Sequence, residues 1–122
     1  MENTAASRIY YSIKEVASSL GEAESTLRHW EREFPDVISP NRKGRDIRFY
    51  SEKDIESVRL IKYLRRDCGL TSDGVRKKLK NSRERESAAR HADIVWRLKN
   101  IKAELLLLKE AMDEVERIKG AE

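Results

Sequence analysis

Seven apolar residues late in the chain, Ile94, Leu98, Ile101, Leu105, Leu108, Met112 and Val115, step by alternating fours and threes without a miss. That spacing is the a/d seam of a coiled coil held over three heptads. Neither Pro nor Gly interrupts it before Gly120. A helix of about 25 residues, rising roughly 1.5 Å at each, is about 37 Å long. Of its 122 residues 39% are charged, against roughly a quarter in ordinary soluble domains. Little apolar surface is left to cover the stripe. It either lies on its own domain or pairs with a second copy. The charge content favours pairing, as do Leu106 and Leu107, which widen the apolar surface beyond the seam. The seven seam residues are therefore expected to dimerise the protein. Trp96, off the seam, is expected to pack near the helix start, on the partner or on its own head. Flanking charges leave the orientation open. A parallel pair sets Arg97 against Lys102 and Glu104 against Lys109, while an antiparallel pair centred at Leu105 to Leu106 brings Lys102 near Lys109.

Before the rod, Ser12 to Phe34 reads as two short helices over a tight turn. Ser12 with Glu15 three residues on is a capping box, and Ile13, Val16, Ala17 and Leu20 share one helical face. Gly21 follows, where a helix end favours positive φ. Ala23, Leu27, Trp30 and Phe34 make the apolar face of the second helix. Two such faces joined by about three residues pack at a steep angle as a helix-turn-helix.

With Leu27 and Trp30 inward, Ser25, Arg28, His29 and Arg32 project outward together. These donors suit phosphate oxygens and the N7 and O6 edges of guanine in a major groove. Alone they would equally suit a solvated helix face; the next segment favours nucleic acid. In Ile38–Tyr50, Arg42, Lys43, Arg45 and Arg48 stand against Asp46 only, punctuated by Pro40, Asn41 and Gly44. The alternation of Ile47 and Phe49 with Arg48 and Tyr50 predicts a small β-hairpin with a basic tip. A basic hairpin after a helix-turn-helix is the arrangement of a winged helix-turn-helix DNA reader. Residues 1–80 carry 17 Lys+Arg against 13 Asp+Glu, whereas residues 81–122 carry 9 of each. The whole +4 excess thus sits on the half expected to meet phosphate. Tyr50 is expected either to donate to a phosphate or to buttress the wing. Ser12 and Lys14, at the start of the first helix, complete the candidate DNA-contact set.

The runs YSIKEVASSLG, STLRHWE and RFYSEKDI, in this order between about Tyr10 and Leu79, resemble the MerR family of bacterial transcription regulators. The resemblance implies that Thr26, Leu27, Arg28, His29, Trp30 and Glu31 form the DNA-facing run of the second helix, and that Arg48 and Tyr50 are the Arg-x-Tyr of the wing. It also implies an antiparallel dimer that bends or untwists DNA between its heads. His29 stands where a tyrosine is usual. Glu22 and Ala23 replace the usual Val-Ser, which removes an apolar plug and the N-cap of the second helix; Glu22 and Glu24 would compensate at the positive end of the helix dipole. The chain stops at Glu122, soon after the seam, so a small member without an effector-binding domain is expected.

Ser51 with Asp54 opens a third helix running through Arg66, with Ile55, Val58, Ile61 and Leu64 buried. Asp67-Cys68-Gly69 ends it. Leu70 and Thr71 begin a shorter helix with Val75 and Leu79 inside; Arg65, Arg66, Lys77 and Lys78 are expected as solvated charges. Residues 81–90 are either a linker or the wet first turns of the next helix. Cys68, the single cysteine, excludes an internal disulfide, and with only His29 and His91 as helpers it does not make a metal site. Arg65 and Arg66 beside it would favour a thiolate. No paired carboxylates, nucleophile–base pair or glycine-rich loop suggest an enzyme, and no cofactor is expected.

The expected architecture is mainly α. Residues 1–9 form a disordered tail, residues 10–80 a winged helix-turn-helix with a small β-hairpin wing, and residues 91–119 an antiparallel coiled-coil dimerisation helix. The first residues hold no signal peptide and no stretch spans a membrane, which points to a cytoplasmic, nucleoid-associated protein. The expected function is a homodimeric, sequence-specific transcription regulator on a palindromic promoter site, where RNA polymerase is a further partner. The rivals are an architectural or chromosome-anchoring protein with the same heads, and an interaction module whose long helix recruits another protein.

Overall fold

The computed structural model describes residues 10–43 and 47–121, with Arg42 and Lys43 described through their backbone alone. The expected tail, 1–9, and the hairpin tip with Arg45 lie outside the described residues. In order come β1 (Tyr11–Ser12), α1 (Ile13–Leu20), α2 (Glu24–Glu33), β2 (Asn41–Lys43), β3 (Ile47–Tyr50), α3 (Glu52–Lys62), a π-turn (Tyr63–Asp67), α4 (Ser72–Lys80) and α5 (Ser82–Ala121). The fold is mainly helical, as the sequence implies.

Local chemistry explains most boundaries. Ser12 accepts from the Glu15 N–H at 3.1 Å and its own N–H donates to the Glu15 carboxylate at 3.0 Å, the reciprocal cap that starts α1. Ser51 and Asp54 do the same for α3. Gly21 ends α1 at φ +68°, a conformation that costs a side-chain-bearing residue strain. Ala23 caps α2 without a side-chain bond. Thr71 caps α4 by accepting from the Gly74 N–H at 3.1 Å. At the end of α3 the Cys68 N–H reaches back five residues to the Tyr63 carbonyl at 3.0 Å, so the last turn widens before Gly69, also at φ +68°, lets the chain reverse.

The wing is a three-stranded antiparallel sheet in the order β1-β3-β2. The β2–β3 hairpin was expected. β1 was not: Tyr11 pairs with Tyr50 and Ser12 with Phe49, tying the chain entering α1 to the wing. Behind the sheet lies one core, with Ile13, Val16, Leu20, Leu27, Trp30, Phe34, Ile38, Tyr50, Val58, Ile61, Leu64 and Val75 all buried. Ile55 is only partly buried, and Leu60 joins the core in addition to the predicted stripe.

Residues 81–90 are not a linker. α5 begins at Ser82, where the Glu84 N–H donates to the Asn81 side chain at 3.1 Å. Its first turns belong to the head: Ala88 and Ala92 are buried and Trp96 packs on the core. The Arg59 guanidinium lies 5.4 Å from the Trp96 ring centroid, so Trp96 packs on its own head. Lys99 completes the attachment with an ion pair to Asp67 at 2.9 Å. Beyond it, α5 leaves the head, and the seam does not fold back: its seven residues are 51–61% exposed.

Candidate nucleic-acid interface

One turn of α2 after another repeats the same division. Leu27 and Trp30 are buried against α1 and α3, and this turns Ser25, His29 and Arg32 outward, with Arg28 and Thr26 half-buried beside them. Ser25, Arg28, His29 and Arg32 stand at i, i+3, i+4 and i+7, so they share one helical face. Arg28 has a loose partner, Glu24, at 3.5 Å. An exposed pair at that distance holds its arginine weakly, so Arg28 can turn to another acceptor. His29 Nε2 lies 3.1 Å from a Glu33 carboxylate oxygen. The other Glu33 oxygen accepts from the Ser72 hydroxyl at 2.5 Å, which fastens the end of α2 to the start of α4.

Beside this face runs an open groove of about 460 Å³, lined by Ser25, Thr26 and His29 on one wall and by Arg65, Gly69 and Thr71 on the other. Arg65 and Arg66 are not merely solvated. Arg65 donates to the Leu70 carbonyl at 2.9 Å and holds the α3–α4 turn. Arg66 pairs with Glu22 at 2.8 Å and covers the Trp30 ring; the Glu22 hydrogen bonds and charge raise its pKa. Lys62 joins the same cluster, 3.6 Å from Glu22, and donates to the Leu20 carbonyl at the end of α1. Glu22 therefore does not serve the dipole of α2 as its position suggested. It is the anchor by which α3 clamps the helix-turn-helix turn, replacing an apolar plug with an ionic one. A glutamate in a tight turn, with cations at the end of a later helix, was the available signal.

Several expected contacts take structural jobs instead. Of the implied DNA-facing run, Leu27, Trp30 and Glu31 are buried. Glu31 receives the Arg48 Nε at 2.7 Å with both side chains largely covered, 7% and 11% exposed. Arg48 thus joins β3 to the underside of α2 rather than gripping phosphate from the wing. Tyr50 is fully buried and its hydroxyl has no hydrogen bond among the described residues, so of its two expected roles it takes the buttress. Burial, with Glu31 second, pushes its pKa up to about 12. Ser12 spends its hydroxyl on the α1 cap, whereas Lys14 is exposed. The side chains of Arg42, Lys43 and Arg45 lie outside the described residues. Cys68 is exposed, but Arg65 and Arg66 are both engaged elsewhere. The Tyr63 pKa is raised, first by hydrogen bonding to Cys68 and then by burial. Among the described residues no group of His, Cys, Asp and Glu could hold a metal ion, and no helix is long and apolar enough to cross a membrane.

A helix-turn-helix backed by a sheet, with a donor-bearing second helix, defines the winged helix-turn-helix class. Within it the chain belongs to the MerR family: the model described as MerR HTH family regulatory protein matches residues 11–82. It is a DNA-binding regulator of the helix-turn-helix kind. Among solved structures it is similar to HiNmlR, described as a MerR family regulator lacking the sensor domain and bound to promoter DNA. That likeness has a TM-score of 0.52 at 21% identity, and covers 88% of this chain and 86% of the other. No curated protein matches the chain.

Proposed function

We propose that the protein acts as a homodimer on a palindromic promoter site, with its two heads held apart by an antiparallel pair of α5 rods. Each head lays α2 in a major groove. Arg28 reads a base edge or a key phosphate, and Ser25, Thr26, His29 and Arg32 contact the surrounding groove and backbone. The wing cations Arg42, Lys43 and Arg45, with Lys14, hold the flanking phosphates. The observation that carries this reading is the seam: seven apolar residues stand exposed along the rod while its first turns are locked to the head. An exposed apolar surface of this extent marks an interaction site, and its a/d spacing suits a second copy of the same helix. Two readers at opposite ends of a rod of about 37 Å suit half-sites one or two DNA turns apart. HiNmlR is described as bound to promoter DNA, and transfer of that property supports promoter binding here, with distortion of the duplex between half-sites and RNA polymerase as the neighbouring partner.

The test is selection of bound sites from random duplex, followed by footprinting. The expected result is a two-fold symmetric site with two protected half-sites, and enhanced cleavage between them where the duplex is deformed. A single unpaired half-site, or protection without sequence preference, would overturn the proposal.

A further inference from the structure

We infer that dimers of this chain stack on one another at the midpoint of the rod, the lysine-ringed side of one dimer seating on the glutamate-ringed side of the next. The inference rests on the antiparallel pairing proposed above.

Four consecutive leucines, Leu105 to Leu108, make one turn of α5 apolar on every side. A helix that is apolar all round is a helix covered all round, and one seam covers only part of it. Aligned antiparallel so that Leu98 meets Val115, Ile101 meets Met112 and Leu105 meets Leu108, the two seams match apolar with apolar from Leu98 to Val115, and Ile94 falls opposite Lys119. The two-fold axis then passes between Leu106 and Leu107. At about 100° per residue, Leu106 and Leu107 point roughly 130° away from the seam, one toward each flat side of the pair. They are 50% and 66% exposed, and pairing leaves them exposed. Each dimer therefore shows two Leu106 side chains on one side of its midpoint and two Leu107 side chains on the other.

The two sides differ in charge. One helical turn from Leu106 stand Lys102, Ala103, Lys109 and Glu110; one turn from Leu107 stand Ala103, Glu104, Glu110 and Ala111. On the Leu106 side, Lys102 of each copy also comes close to Lys109 of the other. Lys109 has Asp113 of its own helix at 3.0 Å, whereas Lys102, Glu104 and Glu110 form no ion pair among the described residues. The repulsion across the Leu106 side is relieved by the carboxylates on the Leu107 side of a second dimer, and the leucine pairs of both sides are covered in the same contact. Because unlike sides meet, the contact is heterologous and does not close. It yields a ladder of dimers, with successive readers able to hold separate duplex sites together. The patch is small, so the association belongs to the weak, transient class.

Sedimentation velocity on the full chain at low salt, from low micromolar to submillimolar concentration, tests this. The expected result is a dimer at the low end and growing tetramer and hexamer at the high end, suppressed by molar salt. Leu106→Glu and Leu107→Lys lie off the seam and set like charge against like across the stacking contact; each is expected to keep the dimer, with unchanged helix content by circular dichroism, and to abolish the larger species. A wild-type protein that never exceeds the dimer overturns the stacking and leaves the dimer standing. So does a series that stops at tetramer, since like sides would then meet, or a ladder that persists in both variants. A monomer at every concentration removes the pairing itself.

Discussion

Removing the Glu31 carboxylate tests the division between residues that read DNA and residues that hold the reader together. Glu31 and Arg48 meet at 2.7 Å with 7% and 11% of their side chains exposed, joining α2 to β3. In Glu31→Ala the guanidinium keeps its covered position and loses its counter-ion, a change that costs about 3–5 kcal/mol for buried pairs. Glu24→Ala is the matched control. Its pair with Arg28 is 3.5 Å long with both side chains more than a third exposed, and an exposed pair contributes about 0–1 kcal/mol. For a domain this small each kcal/mol moves Tm by about 4–8 °C, so Glu31→Ala should lower Tm by about 12 °C or more and Glu24→Ala by a few degrees at most. Urea unfolding followed by circular dichroism at 222 nm gives both free energies. The double change Glu31→Leu with Arg48→Met removes the burial cost of the pair together with its attraction, and should be far milder than Glu31→Ala. A loss below about 1 kcal/mol for Glu31→Ala would refute the reasoning, because Arg48 would then be solvated and free to reach a phosphate.

On DNA, Arg28→Ala should erode discrimination between sites by about 1–3 kcal/mol, whereas Arg45→Ala should weaken all duplexes alike and flatten the salt dependence by about one unit of log–log slope; equal behaviour in a salt-series binding assay would contradict the assigned roles. Tyr50, with its pKa pushed up to about 12, holds its proton more tightly folded than unfolded. Its contribution is therefore complete below about pH 10 and lost as pH rises toward 12. Absorbance at 295 nm should show a tyrosine ionising only near pH 12, and Tyr50→Phe should remove that step with little loss of stability, since the buried hydroxyl has no hydrogen bond among the described residues. Lys62→Met should loosen the helix-turn-helix turn by about 1–3 kcal/mol through the bond lost at the Leu20 carbonyl, read as faster amide exchange at Gly21 and Glu22.

Where local chemistry decides structure, the sequence was readable. Ser12 with Glu15, Ser51 with Asp54 and the positive φ of Gly21 each follow from a short-range rule, and the a/d steps of the rod from periodicity. The start of α5 was readable too, had Asn81 with Glu84 been taken as a cap. Long-range pairing was not. β1 is two residues whose only reason for being a strand is Tyr50 and Phe49, nearly forty positions away. Arg48 and Glu31 looked like surface charge because their burial exists only once wing and α2 close on each other. Glu22 looked like a dipole partner because its true partners, Lys62 and Arg66, arrive from the end of α3 and the π-turn after it. One helix face was enough to place Ser25, His29 and Arg32 outside on α2, but the packing of the wing decided that Arg48 turns toward Glu31.

The central claim, that the exposed seam of α5 is covered by a second copy, meets its most direct test in sedimentation equilibrium at low micromolar concentration. For a chain of 14.2 kDa the account predicts twice that mass, and a return to 14.2 kDa when Leu105→Glu places two carboxylates in the seam. A wild-type chain of single mass there, or a Leu105→Glu variant that still pairs, would contradict it.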